Sequence, residues 1–195
     1  MIAMKSFEYD LRYLSTGLEL LEKYLLSDEV FWPLNVNPPD GEPAYPKLTL
    51  DGLLLAQVRL AGHRVYPNQK GQADSIITNL EINRSKWRVA WEKKAGQCYF
   101  VRVRMWRRFL QEYQDNPQEK RDRYPYEVRL RVMLELLKSE FRLGDSSDVD
   151  LLPGLDVYLK GALVPNGFIW EADVMGGFPE DVYWFLYGDL LPRNM

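Results

Sequence analysis

The sequence predicts an all-α protein: an irregular bundle of about six helices with a proline-rich connector after the first. Three observations carry this. Apolar residues recur at alternating steps of four and three along several segments, the signature of one buried helix face. No proline occurs from Asn68 to Asn116, a span long enough for two helices. Only Thr49 to Leu60 offers a hairpin, at Asp51-Gly52, and the two alanines of Leu50 to Ala61 and the broken alternation favour a helix instead.

In order, Phe7, Leu11, Leu14, Leu18, Leu21 and Leu25 form the seam of a first helix. Ser6 is placed to cap it, and Glu8 and Asp10 suit the positive end of its dipole. Residues 32–48 are an extended connector, because Pro33, Pro38, Pro39, Pro43 and Pro46 remove donors and restrict their neighbours. Thr49 then caps a helix from Leu50 to Ala61. Two helices follow, Gln72 to Lys94 and Gln97 to Asp115, with Gly96 as a break or a tolerated interior glycine and Tyr99, Val103, Trp106, Leu110 and Tyr113 inward. Pro125 opens a helix to about Arg142 with Tyr126, Leu130, Met133, Leu137 and Phe141 inward and Glu127, Arg131 and Glu135 outward. Asp145 to Asp150 is an acidic loop, and a short helix from Leu152 to Leu163 leads to a turn at Val164 to Gly167. A last helix is expected from Pro179 to Tyr187, with Trp184 largely buried because its neighbours leave no polar face.

A chain of 195 residues with 46% hydrophobic content fits a single domain, 1–195, with residues 164–195 as an aromatic C-terminal segment. The longest apolar run, Val182 to Tyr187, is too short to span a bilayer, so no membrane is expected. Met1 to Asp10 lacks a signal-peptide core, and one cysteine, Cys98, suits a reducing compartment; the expected location is cytoplasmic.

Catalytic chemistry finds little footing. With one histidine, His63, and one cysteine, a zinc site of the usual ligands cannot be built within the chain. Cys98 beside Tyr99 and Phe100 reads as a buried thiol, and His63 as a helix-end contact. Gly176-Gly177 lacks the spacing and lysine of a phosphate loop. Glu171 with Asp173, or Glu180 with Asp181, could pair for acid–base work, but loop and helix-start acids need no catalysis to explain them. No catalytic residue, metal ligand or cofactor is assigned, and no enzymatic activity is expected.

The charge layout is the stronger signal. Residues 84–131 hold 14 bases and 6 acids, a net +8, while the rest of the chain holds 11 bases and 22 acids. Arg84, Arg88, Lys93, Lys94, Arg104, Arg107 and Arg108 are the candidate contacts, with Arg104 and Arg108 opposite the core stripe. The expected function is a non-catalytic interaction or adaptor subunit that engages an acidic protein partner through this face. The alternative is a nucleic-acid-binding accessory protein, with Trp87 and Trp91 available for stacking beside the arginines. Against both stands fold-back, in which the chain's own acids neutralise the stretch. Trp170, Phe178 and Trp184 are candidate interface aromatics, with core packing as their simpler explanation.

Overall fold

A computed structural model describes residues 6–64, 66–142 and 151–191. Among these residues the all-α prediction holds, with eight helices and a single two-stranded ribbon. The acidic loop at Asp145 to Asp150 lies outside the described residues. No helix among those described is long and apolar enough to cross a membrane.

Helix α1 (Phe7–Leu26) starts as its sequence dictates, with Ser6 Oγ accepting the Tyr9 N–H at 3.1 Å. Its buried stripe is wider than the leucine seam, because Tyr9, Tyr13 and Tyr24 are buried beside Leu14 and Leu21. The connector is extended and closes on itself through a Trp32–Leu48 bridge. Thr49 Oγ1 then accepts the Gly52 N–H at 3.1 Å and begins α2 (Leu50–Gly62), so the helix reading of this stretch is correct.

The next pair departs from expectation in its boundaries. Helix α3 (Pro67–Lys86) begins earlier, with Pro67 in its first turn, where a missing N–H costs nothing. The break before α4 (Arg88–Asp115) falls at Trp87, not at Gly96. Gly96 is the tolerated interior glycine of this helix, with the Phe141 ring 3.4 Å from an ideal Cβ. Helix α4 is the axis of the bundle and packs against α1, α2, α3 and the later helices. Trp91, Ala95, Cys98, Tyr99, Val103, Trp106, Leu110 and Tyr113 form its buried stripe.

The predicted helix from Pro125 to Arg142 is shorter and interrupted. Short α5 (Pro117–Arg121) precedes α6 (Tyr124–Glu127) and α7 (Arg129–Leu137), with Val128 between the last two. Three inside–outside assignments reverse here, the first being Glu127, expected outside but buried beside Arg123 and Arg129. Tyr126 is half exposed, and Arg131, expected outside, is 2% exposed. Arg131 donates a fork of hydrogen bonds to both oxygens of Asp156 in α8 (Leu151–Ala162), at 2.7 and 2.8 Å, and a third to Glu135 at 2.8 Å. The buried guanidinium is tolerated because these two partly exposed carboxylates satisfy it.

The C-terminal segment is the main correction. The turn expected at Val164 is part of strand β1 (Leu163–Pro165), paired antiparallel with β2 (Gly188–Leu190). In place of a helix from Pro179 to Tyr187 there is a turn at Pro179 and one 3₁₀ turn, Trp184–Leu186. Val182, Tyr183, Trp184, Phe185 and Tyr187 are all weak helix formers, and tertiary bonds outbid the local pattern. Tyr124 donates to the Phe185 carbonyl at 2.6 Å, and Tyr113 to the Leu191 carbonyl at 2.7 Å. Phe178 and Phe185 are fully buried, whereas Trp184 is only half-buried, with the Lys160 ammonium 5.0 Å from its ring centroid. A second 3₁₀ segment, Ala172–Gly177, lies against the end of α2. There the backbones nearly touch: a Cβ on Gly62 would lie 2.6 Å from the Gly177 nitrogen, and one on Gly177 would lie 2.6 Å from the Val58 carbonyl oxygen. The Gly176-Gly177 pair thus serves packing.

Candidate functional site

The basic stretch is largely consumed by the chain itself. Arg84 reaches Glu81 at 3.2 Å and Glu140 at 2.9 Å, and Glu140 also accepts the Trp91 indole N–H at 2.7 Å. Lys94 is buried and donates to the carbonyls of Ser27 (2.7 Å) and Glu29 (2.9 Å), closing the C-terminal end of α1. Burial lowers its pKa, and it has no surface to offer a partner. Arg102, also buried, pairs with Asp51 and donates to Thr49 Oγ1 at 3.3 Å. Arg121 meets Asp189 at 2.8 Å.

Several of the outward bases lie on α4. Arg88 pairs with Glu92 at 2.9 Å, Arg108 with Glu112 at 2.9 Å, and Lys93 lies 3.5 Å from Asp28, all at exposed positions where such pairs contribute little. Arg104 donates to the Phe100 carbonyl at 3.1 Å, and exposed Arg107 has no hydrogen bond or ion pair among the described residues. Trp91 is buried and Trp87 partly so, with the Lys86 ammonium 5.1 Å from its ring centroid. The face therefore carries arginines without the exposed aromatic platform that base stacking needs.

A second site was not anticipated. Helix α1, the connector, α2, the α6–α7 corner and residues 169–171 line a half-open cavity of about 740 Å³. Leu55, Ala56, Met133 and Ile169 supply its apolar surface, and Tyr9, Tyr13, Tyr126 and Trp170 its aromatic walls. The prolines act as wall: Pro43, Ala44 and Pro46 face the cavity. Tyr9 donates to the Ala44 carbonyl at 3.2 Å, Tyr13 to the Lys47 carbonyl at 3.3 Å, and Arg12 holds Glu42 at 2.5 and 2.6 Å. Burial, then nearby carboxylates, raises the pKa of both phenols, so they remain neutral donors. Gly52 fits beneath Tyr13 only because it has no side chain; a Cβ would lie 2.6 Å from the phenol oxygen.

Charge enters the wall at two places. Arg59 is 5% exposed in its side chain and donates to Asp10 at 2.8 Å and Glu171 at 3.1 Å. Burial opposes its charge, but the two carboxylates outweigh that and raise its pKa. His63 caps α2 with its N–H on the Arg59 carbonyl, and its Nε2 lies 3.5 Å from Asp10. Arg129 is the second place. Its guanidinium carbon lies 3.5 Å from the Tyr126 ring centroid, and its Nη1 donates to the Tyr126 carbonyl at 2.7 Å. Trp170, one of the candidate interface aromatics, belongs to this wall and donates its indole N–H to the Pro125 carbonyl at 2.8 Å. Phe178 lies behind it in the core, edge-on at 5.3 Å.

One signal for this site was available in the sequence: Arg59 is the only base in an otherwise apolar α2, and a charge there must find partners. Asp173, Glu180 and Asp181 are exposed, and Cys98 contacts the Tyr24 hydroxyl at 3.5 Å, not His63. Burial pushes the Cys98 thiol up to about 12, which keeps it protonated and unreactive at neutral pH. No group of three or more His, Cys, Asp or Glu among the described residues is arranged to hold a metal. No protein-family model matches the chain, and comparison with curated proteins and with solved structures gives no significant match.

Proposed function

We propose that this protein is a non-catalytic binding protein that takes a small, mainly apolar organic molecule into the cavity beside the proline-rich connector. The observation that supports it is the cleft itself: about 740 Å³, lined mainly by apolar and aromatic side chains, with a few fixed polar groups. Ligand sites have this size and lining. The walls are held by side-chain bonds to the connector, so little ordering is left for binding to supply. The neutral dye phenylnaphthylamine, whose fluorescence rises in apolar surroundings, is expected to bind one molecule per chain. Ala44→Trp, at an exposed connector position that lines the cavity, should weaken that binding at least tenfold, a loss of ~1.4 kcal/mol. Dye binding that ignores this substitution, or no binding at all, would refute the reading.

A second reading rests on exposed Arg104, Arg107 and Arg108, which share one face of α4 with Glu112 as their nearby acid. Here the protein is an interaction subunit whose outward arginines meet an acidic protein partner. Changing all three to glutamine should leave the melting temperature within a degree or two, since exposed pairs contribute ~0–1 kcal/mol, while a pull-down loses the partner. Oligonucleotide binding that falls steeply with salt and vanishes in the triple variant would instead assign the face to nucleic acid.

A further inference from the structure

We infer that the cavity ligand is an organic acid whose anionic head is held by Arg129 while its apolar body lies against Leu55 and Met133; this rests on the cavity reading above. The two arginines in the wall differ in how far they are satisfied. Arg59 is already matched to two carboxylates, Asp10 and Glu171, so that cluster carries one net negative charge. Arg129 has one carboxylate within reach and shares it. Glu127 is 3.5 Å from it and is held more tightly by Arg123, at 2.5 Å, so these three groups carry one net positive charge. An anion entering the cavity is therefore drawn toward Arg129 and repelled from Glu171.

The guanidinium is also prepared for the task. Stacking on Tyr126 fixes its plane, and the Tyr126 carbonyl takes up Nη1. A planar fork held in this way suits the two oxygens of a carboxylate or the oxygens of a sulfonate. Arg129 is 21% exposed in its side chain, so its charge has lost most of its water without gaining a full partner. Consistent with that, burial is the leading influence on its pKa and lowers it. A bound anion would supply what desolvation has removed.

The test uses two dyes with the same rings, neutral phenylnaphthylamine and its sulfonated relative anilinonaphthalene sulfonate, titrated into the full chain. Wild type is expected to bind the sulfonate about tenfold more tightly, the scale of one charge-assisted hydrogen-bonded contact. Arg129→Gln should abolish that preference, read as the ratio of the two dyes' affinities, while an unchanged helical circular dichroism spectrum reports that the fold is intact. Arg129→Lys, which keeps the charge but not the fork, should retain part of the preference. Equal affinity of wild type for both dyes, or a preference that survives Arg129→Gln, overturns the assignment of Arg129 while the cavity reading stands. Failure of both dyes to bind overturns the cavity reading and this inference with it.

Discussion

Arg102→Met is expected to destabilise the protein by about 3–5 kcal/mol, lowering its melting temperature by roughly 6–20 °C. Asp51 is fully buried at the start of α2, and Arg102 supplies its ion pair. Its Oδ1 already has no hydrogen-bond partner among the described residues, so removing Arg102 leaves a charge with almost nothing to balance it. The double variant Asp51→Leu, Arg102→Met removes both charges and should recover much of the loss, because a buried pair contributes far less than the cost of breaking it. Thermal melts of both single variants and the double variant check this. If Arg102→Met melts like wild type, Asp51 is solvated and the buried pair does not exist in solution.

Trp106→Ala is expected to cost about 3–5 kcal/mol, the range for truncating a large core aromatic. Trp106 is fully buried on the α4 stripe and stacks on Phe109 at 5.6 Å. The contrast with Trp91 sharpens the test. The Trp106 indole nitrogen has no hydrogen-bond partner among the described residues, so Trp106→Phe loses volume alone. Trp91 donates to Glu140, and Glu140 is itself buried, so Trp91→Phe also strips a hydrogen bond from a buried carboxylate. Denaturant melts should therefore rank Trp91→Phe as the costlier of the two. The reverse order would mean that Glu140 draws its support from Arg84 alone.

The helices that depend on local rules were legible. Ser6 and Thr49 cap where their side chains predict, and the steps from Tyr99 to Tyr113 put one face of α4 in the core. The C-terminal segment was misread because its apolar composition is compatible with a helix, while its backbone is positioned by hydroxyls on Tyr113 and Tyr124, more than 60 positions away in sequence. The basic excess was misjudged for a related reason. A four-residue ladder can reveal Arg88 with Glu92, but nothing periodic links Arg102 to Asp51 or Arg131 to Asp156. The cavity is a property of the space left between elements, and only the charge of Arg59 on an apolar helix hinted at it.

The Arg59 cluster also bears on the order in which the chain becomes functional. Asp10 and Glu171 come from distant parts of the sequence, and the bond from Arg59 to Glu171 closes a loop of 112 positions. Contacts that distant bring their energy only after the entropy of closure has been met, so they form late. During synthesis α1 and α2 emerge early, and Arg59 can find Asp10 well before residue 171 has left the ribosome. A stalled chain would therefore hold the first helix pair with one wall of the pocket missing, and the site would be completed only in the final steps of folding.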